Sequence, residues 1–261
     1  MNGSGKTTAI RIEGLSKTFG KGADGVLALK DIACTIEQGS FVTIVGPSGC
    51  GKSTLLRILA GLLDYDVGSV VFDGQTTHGT RRDVGVVFQS SILLPWRSIL
   101  DNVLLPAEVL GLDPKKARER ALQLLHMVRL EGFENKLPRQ LSGGMQQRAS
   151  IARALLHDPK ILLMDEPFGA LDAMTRERMN LELQRIWMES GKTVVLITHS
   201  IPEAVFLGDV VFVMSPRPGT LERQIAIEIP RPRMLASMSE ASFATATGQI
   251  RERFAHAASF D

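Results

Sequence analysis

The sequence predicts an α/β fold: a largely parallel sheet, an antiparallel β region ahead of it, and an α-helical subdomain inserted into it. Three observations carry that expectation. Short runs of apolar, often β-branched residues recur along the chain, as strands buried on both faces require. Helical stretches separate the later runs, the alternation that a parallel sheet needs. One stretch, from Ser98 to about Leu156, is helical throughout and interrupts that alternation.

Taken in order, Ile10–Ile12 and Val26–Leu29 read as short strands around a Gly-rich turn at Gly20–Gly25. Phe41–Val45 is a buried strand that runs into glycines and then a helix, Ser53–Leu63. Val84–Phe88, Ile161–Met164, Val194–Ile197 and Val210–Met214 are further strands, with a helix over Thr175–Ser190. Within the helical insertion Asp101 is expected to cap one helix, and Pro114 opens another. Beyond Pro230, Ser237–Glu240 has capping-box spacing, and Phe243, Ile250 and Phe254 would line one face of a tail helix. The expected division is an α/β core of residues 1–97 and 157–230, a helical subdomain of 98–156, and a tail of 231–261, all in one domain.

Composition narrows the function. A chain of 261 residues makes one large domain or two small ones at roughly 150 residues each. The net charge of +2 lacks the basic excess of a dedicated nucleic-acid binder. The longest apolar run, Val210–Met214, falls far short of the roughly 20 residues of a membrane span. No signal-peptide pattern opens the chain. Two cysteines, Cys34 and Cys50, make no disulfide framework and fit a reducing cytosol.

The chemistry is concentrated in three places. Gly46-Pro47-Ser48-Gly49-Cys50-Gly51-Lys52-Ser53, followed by Thr54, fits G-x-x-x-x-G-K-[ST] between a strand and a helix. Glycines there let backbone N–H groups turn inward as an anion nest, and the helix adds its positive end. Lys52 supplies charge for β- and γ-phosphates, and Ser53 a hydroxyl for Mg²⁺. Gly3–Thr8 resembles the end of the same motif but has no strand before it, so it reads as a frayed terminus. Asp165-Glu166 closes a strand, at the edge of an α/β sheet where ligands bind. Asp165 is placed to hold Mg²⁺ and Glu166 to polarise an attacking water. Leu141–Arg148 brings Ser142, Gly143 and Gly144 to a helix start, a second phosphate-type arrangement.

In this order Gly46–Ser53, Gln89, Leu141–Arg148, Asp165-Glu166, Leu171-Asp172 and His199 resemble the ATPase subunit of an ABC transporter, over about residues 10–230. Ser215–Gly219 and Leu93–Trp96 are similar to the nitrate/sulfonate/taurine importer branch. The resemblance implies a RecA-like P-loop NTPase core that binds ATP and Mg²⁺. It implies that Phe19 stacks on adenine, Gln89 reaches Mg²⁺ or the attacking water, and His199 senses the γ-phosphate. Asp172 would touch a second subunit. One P-loop and one Ser142 signature per chain imply a head-to-tail homodimer with two shared ATP sites. Transmembrane permease subunits would be the direct partners, a solute-binding protein an indirect one, and the cytoplasmic membrane face the location. A loop as apolar as Ser90–Trp96 needs burying, either in the chain's own core or against a short helix of a membrane partner. An ABC-type ATPase with no membrane partner is the alternative to an importer.

Overall fold

The computed structural model describes residues 7–20, 22, 25–169 and 171–257, with side chains as far as 252. Its elements are, in order, β1 (Thr8–Phe19), β2 (Val26–Glu37), β3 (Phe41–Val45), α1 (Lys52–Leu59), β4 (Val67–Phe72), β5 (Gln75–Thr76) and β6 (Val84–Val87). There follow α2 (Ile99–Leu110), α3 (Pro114–Met127), α4 (Gly143–Leu155), β7 (Ile161–Asp165) and α5 (Ala173–Ser190). The last are β8 (Thr193–Ile197), α6 (Ile201–Leu207), β9 (Val210–Met214), β10 (Leu221–Ala226) and α7 (Ala241–Ala257). They group into two compact units, one up to Arg81 and from Lys192 onward, the other Arg82–Gly191.

The first unit carries two β layers. In one, β1 lies between β2 and β4, antiparallel to both, with β5 at the edge. In the other, β3 is the central strand, with β8 and β9 parallel on its two sides and β10 antiparallel on β9. All five residues of β3 and all five of β8 are buried, which is why both read as unbroken apolar runs. The antiparallel layer differs from expectation. Its strands β1 and β2 have 12 residues each, and β4 and β5 were not anticipated. Bulges between Ile12 and Leu15 and between Leu15 and Lys17 break the two-residue alternation that would have marked β1 as one long strand.

The C-terminal stretch is tied down by two arginines. Arg231 pairs with Asp209 at 2.8 Å, and Asp209 accepts from the Phe41 backbone N–H at 2.8 Å. Arg233 is 1% exposed, and its Nη1 donates to the carbonyls of Val205, Phe206 and Gly208 at the end of α6. Burial, with Arg231 nearby and Asp209 opposing, pushes its guanidinium down to about 10. Helix α7 follows, with Phe243 and Ile250 buried; the Phe254 side chain lies outside the described residues. The Ser237–Glu240 box does not start this helix. Ser237 sits in a 3₁₀ turn and accepts from the Met234 N–H, and α7 begins only after extended Glu240.

The second unit places β6 parallel to β7, Val84 beside Ile161, with α2, α3, α4 and α5. The cap of α2 is Ser98, not Asp101: the Ser98 hydroxyl accepts from the Asp101 N–H at 3.1 Å. Asp101 is the third helical residue, where its charge suits the positive end of the helix. Pro114 opens α3 as expected, with Asp113 as its cap. Asn102, fully buried on α2, accepts from Leu94 N–H and donates to the carbonyls of Leu94, Arg97 and Ser98. One side chain thus fixes the whole loop that precedes α2. Among the described residues no helix is long and apolar enough to cross a membrane.

Candidate nucleotide site

The phosphate loop joins β3 to α1 in the first unit. Gly51 is the cap of α1, at φ +105°, a region closed to other residues. A Cβ there would stand 2.7 Å from Leu29 Cδ2 and 3.0 Å from the Ala28 carbonyl, so Gly51 is required by space as well as by φ. No side chain caps α1. By contrast α2 to α6 are each capped, by Ser98, Asp113, Ser142, Asp172 and Ser200. A helix start with no side-chain cap, behind a glycine loop, is fitted to an anion. Lys52 is 7% exposed and donates from Nζ to Gly46 O at 2.8 Å and Pro47 O at 2.9 Å. Its charge is therefore held inside the loop. Cys50 is buried, and burial raises its thiol while Lys52 opposes the rise, so the residue is packing rather than a nucleophile. Ser53 and Thr54 are half-buried on the first turn of α1.

His199 follows β8. Since β8 runs parallel to β3, its C-terminal end lies at the sheet edge from which the phosphate loop springs. His199 is exposed there, with Thr198 tied to Ile44 O. Phe19 ends β1 and is 43% exposed, so it is not a core residue, and Lys17 Nζ lies 5.9 Å from its ring centroid.

A further residue supports the loop that the sequence alone did not single out. Arg217 donates from Nε and Nη2 to the carbonyl of Gly49, at 3.3 and 3.1 Å. It projects from the turn Ser215–Gly219, which Ser215 braces by donating to Pro218 O and accepting from Thr220 N–H. Gly219 lies so close that a Cβ on it would be 2.0 Å from the Cys50 carbonyl. The motif Ser-Pro-Arg-Pro-Gly was visible in the sequence, but its partner was not.

In the second unit Asp165 ends β7 and Glu166 follows at φ +44°, a strained conformation for a glutamate. Both are half-buried. Gln89 lies just beyond β6, at the same strand ends. A Cβ on Gly169 would be 3.6 Å from both Gln89 Nε2 and Glu166 Oε2, so the amide and the carboxylate converge on one point of backbone. Ser142 caps α4 through the Met145 N–H, and Ser142 and Gly143 are exposed while Gly144 is buried. Gln147, on the first turns of α4, donates to Phe88 O, joining that helix to the strand before Gln89. Asp172 caps α5 from the surface, and its hydrogen bond with Thr175 holds the carboxyl below the usual range. Among the described residues no cluster of His, Cys, Asp or Glu forms a ready metal cage. Ser53, Gln89 and Asp165 are hard oxygen donors of the kind Mg²⁺ shares with phosphate oxygens.

An uncapped phosphate loop on a parallel sheet, with a carboxylate pair closing another strand, defines a P-loop nucleotide hydrolase. Residues 29–169 match the family model described as ABC transporter. The chain belongs to the ATP-binding cassette family of ABC transporters, and it is an ATPase. It is 42% identical to an aliphatic sulfonates import ATP-binding protein, SsuB, of Bacillus cereus, over 88% of this chain and 90% of that one. It is 48% identical to a taurine import ATP-binding protein, TauB, of Rhizobium johnstonii, over 79% of each. Among solved structures it resembles the dimeric post-hydrolysis state of the cassette MJ0796 bound to ADP and Pi. That likeness has a TM-score of 0.74 and 38% identity, covering 85% of this chain and all of that one.

Proposed function

We propose that the chain powers an importer of small sulfonate-type anions, taurine and alkanesulfonates among them. The observation that carries this reading is its 42–48% identity, over most of its length, to relatives named for sulfonate and taurine import. Two copies work head to tail on the cytoplasmic face of the membrane, bound to permease subunits that a solute-binding protein supplies. In each ATP site Phe19 stacks on the base, while the loop from Gly46 to Thr54 holds the phosphates. Mg²⁺, held by Ser53, Gln89 and Asp165, supplies charge neutralisation at the phosphates. Glu166 takes the proton of the attacking water, His199 holds the γ-phosphate end, and Ser142, Gly143 and Gly144 close over the ATP of the other copy. The single motif pair in each chain is the reason two copies are needed.

The test is genetic. Without this chain the host should not grow on taurine or an alkanesulfonate as sole sulfur source, but should grow on sulfate. The wild-type gene should restore growth and the Glu166→Gln gene should not. Unimpaired growth and uptake on all three sulfur sources would refute the solute class.

A further inference from the structure

The second unit holds a cavity of about 540 Å³ among the chain after α3, the start of α4 and the middle of α5. Its charged lining is Arg129, Arg148, Arg178, Arg185 and one carboxylate, Glu182. Four guanidiniums against one carboxylate leave an excess of three positive charges. That carboxylate is already shared, 3.4 Å from Arg129 and 2.5 Å from Arg185. Arg148 is spent on the carbonyls of Val128 and Arg129, and Arg185 also pairs with Glu189. The Nε atoms of Arg148 and Arg185 are nonetheless buried with no hydrogen-bond partner. Arg178 is exposed and has no partner among the described residues. The rest of the wall is Ser142, Gly144 and Thr175, together with apolar Met145, Met179 and Leu181. Charge of one sign gathered in a concave wall raises the local concentration of the opposite ion. The volume is that of a small-molecule pocket rather than of a single bound ion.

We propose that this cavity binds a small organic anion. Its sulfonate, phosphate or carboxylate head pairs with Arg178 and Arg129, and its short apolar tail lies on Met145, Met179 and Leu181. Planar guanidinium forks match such heads in pairs of hydrogen bonds. The inference is independent of the solute that the importer carries; the site rests on the second unit alone and adjoins the signature residues Ser142 and Gly144.

Calorimetric titration of the full nucleotide-free chain with 1-butanesulfonate, butyl phosphate and butyrate tests it, with inorganic sulfate and phosphate as tail-less controls. At least one of the tailed anions should bind more tightly than its tail-less counterpart. Arg178→Glu should weaken that binding tenfold or more, and Arg178→Lys should largely keep it. Lys52→Ala should bind the same anion as well as wild type does. Since Arg178 is exposed and makes no hydrogen bond or ion pair among the described residues, Arg178→Glu should melt near the wild-type temperature. Which head binds best distinguishes a sulfonate from a phosphate or carboxylate ligand. Equal affinity in Arg178→Glu, loss of binding in Lys52→Ala, or no tailed anion binding at millimolar concentration would each overturn the assignment.

Discussion

Glu166 stands in a left-handed conformation directly after the strand that ends in Asp165. The backbone holds that strain in order to aim a carboxylate at the point where Gln89 also arrives. Glu166→Gln keeps the shape and removes the carboxylate proposed as base, so turnover should fall by roughly 10²–10⁴. ATP should still bind, as equilibrium titration would show; near-normal hydrolysis by this variant would remove Glu166 from the role of base. Arg217 holds the phosphate loop through the Gly49 carbonyl. Arg217→Ala should weaken nucleotide binding by about tenfold, a cost of about 1.4 kcal/mol. It should leave the melting temperature and the turnover at saturating ATP nearly unchanged, because the residue is exposed and touches no reacting atom. An equal loss in turnover at saturation would show that Arg217 does more than position the loop. The phosphate loop, the Asp165-Glu166 pair and the signature at Ser142 were all legible in the sequence, because each is a local pattern whose chemistry depends on neighbours in the chain. Arg217 was not, because its partner lies 168 positions away.

The elements divide in the same way. Phe41–Val45 and Val210–Met214 were found at their observed bounds, since apolar runs buried on both faces announce themselves. The antiparallel layer was legible only in fragments. In β1 the alternation is reset by bulges, and in β4 only the last three residues are buried. The helix starts were read less well than the helices, as the Ser98 cap of α2 shows. Those caps have a measurable signature. At α5 the folded Asp172 carboxyl lies below its ordinary 3.8, chiefly through the Thr175 hydrogen bond. A depressed carboxyl stabilises the fold above 3.8, and that contribution is lost as pH falls through the folded value. Asp172→Asn still caps the helix but does not titrate there. Wild type should therefore be the more stable protein at pH 7, and its margin over Asp172→Asn should narrow in denaturant melts below pH 3.8. A margin independent of pH would mean that the carboxylate charge does nothing at this cap. In the first unit, Arg233 caps the C-terminal end of α6, and it donates to five carbonyls. Arg233→Met strands those carbonyls in a buried place, at about 1–3 kcal/mol for each left unpaired. The stretch carrying α7 should then detach first, as faster amide exchange in α7 than in β3 would reveal.

What a subunit of an assembly shows to its surroundings is set by what its own core does not use. The sequence left Trp96 suspended between core and contact surface. In the structure Trp96 is 73% exposed, so it contributes little to the fold of the chain that carries it. It is nevertheless held in place. Asn102 binds the backbone on both sides of it, and Arg97 pairs with Glu108 at 2.7 Å, which lays the loop along α2. Ile92, earlier in the same loop, and Val109, on α2, are 55% and 75% exposed. An indole presented on a rigid loop loses little freedom on docking, and such anchors commonly dominate an interface, at about 2 kcal/mol or more on truncation. If Trp96 is the contact with the proposed permease subunits, Trp96→Ala should weaken that assembly by about 30-fold or more, since each 1.4 kcal/mol is tenfold. The isolated subunit should melt within about 0.5 kcal/mol of wild type, as surface substitutions do, and should hydrolyse ATP at its normal basal rate. Pull-down by the permease, thermal melting and basal ATPase assays on one preparation separate the possibilities. Normal assembly by Trp96→Ala would move the contact surface elsewhere. Loss of assembly together with a large fall in melting temperature would instead assign Trp96 to the fold, against its exposure.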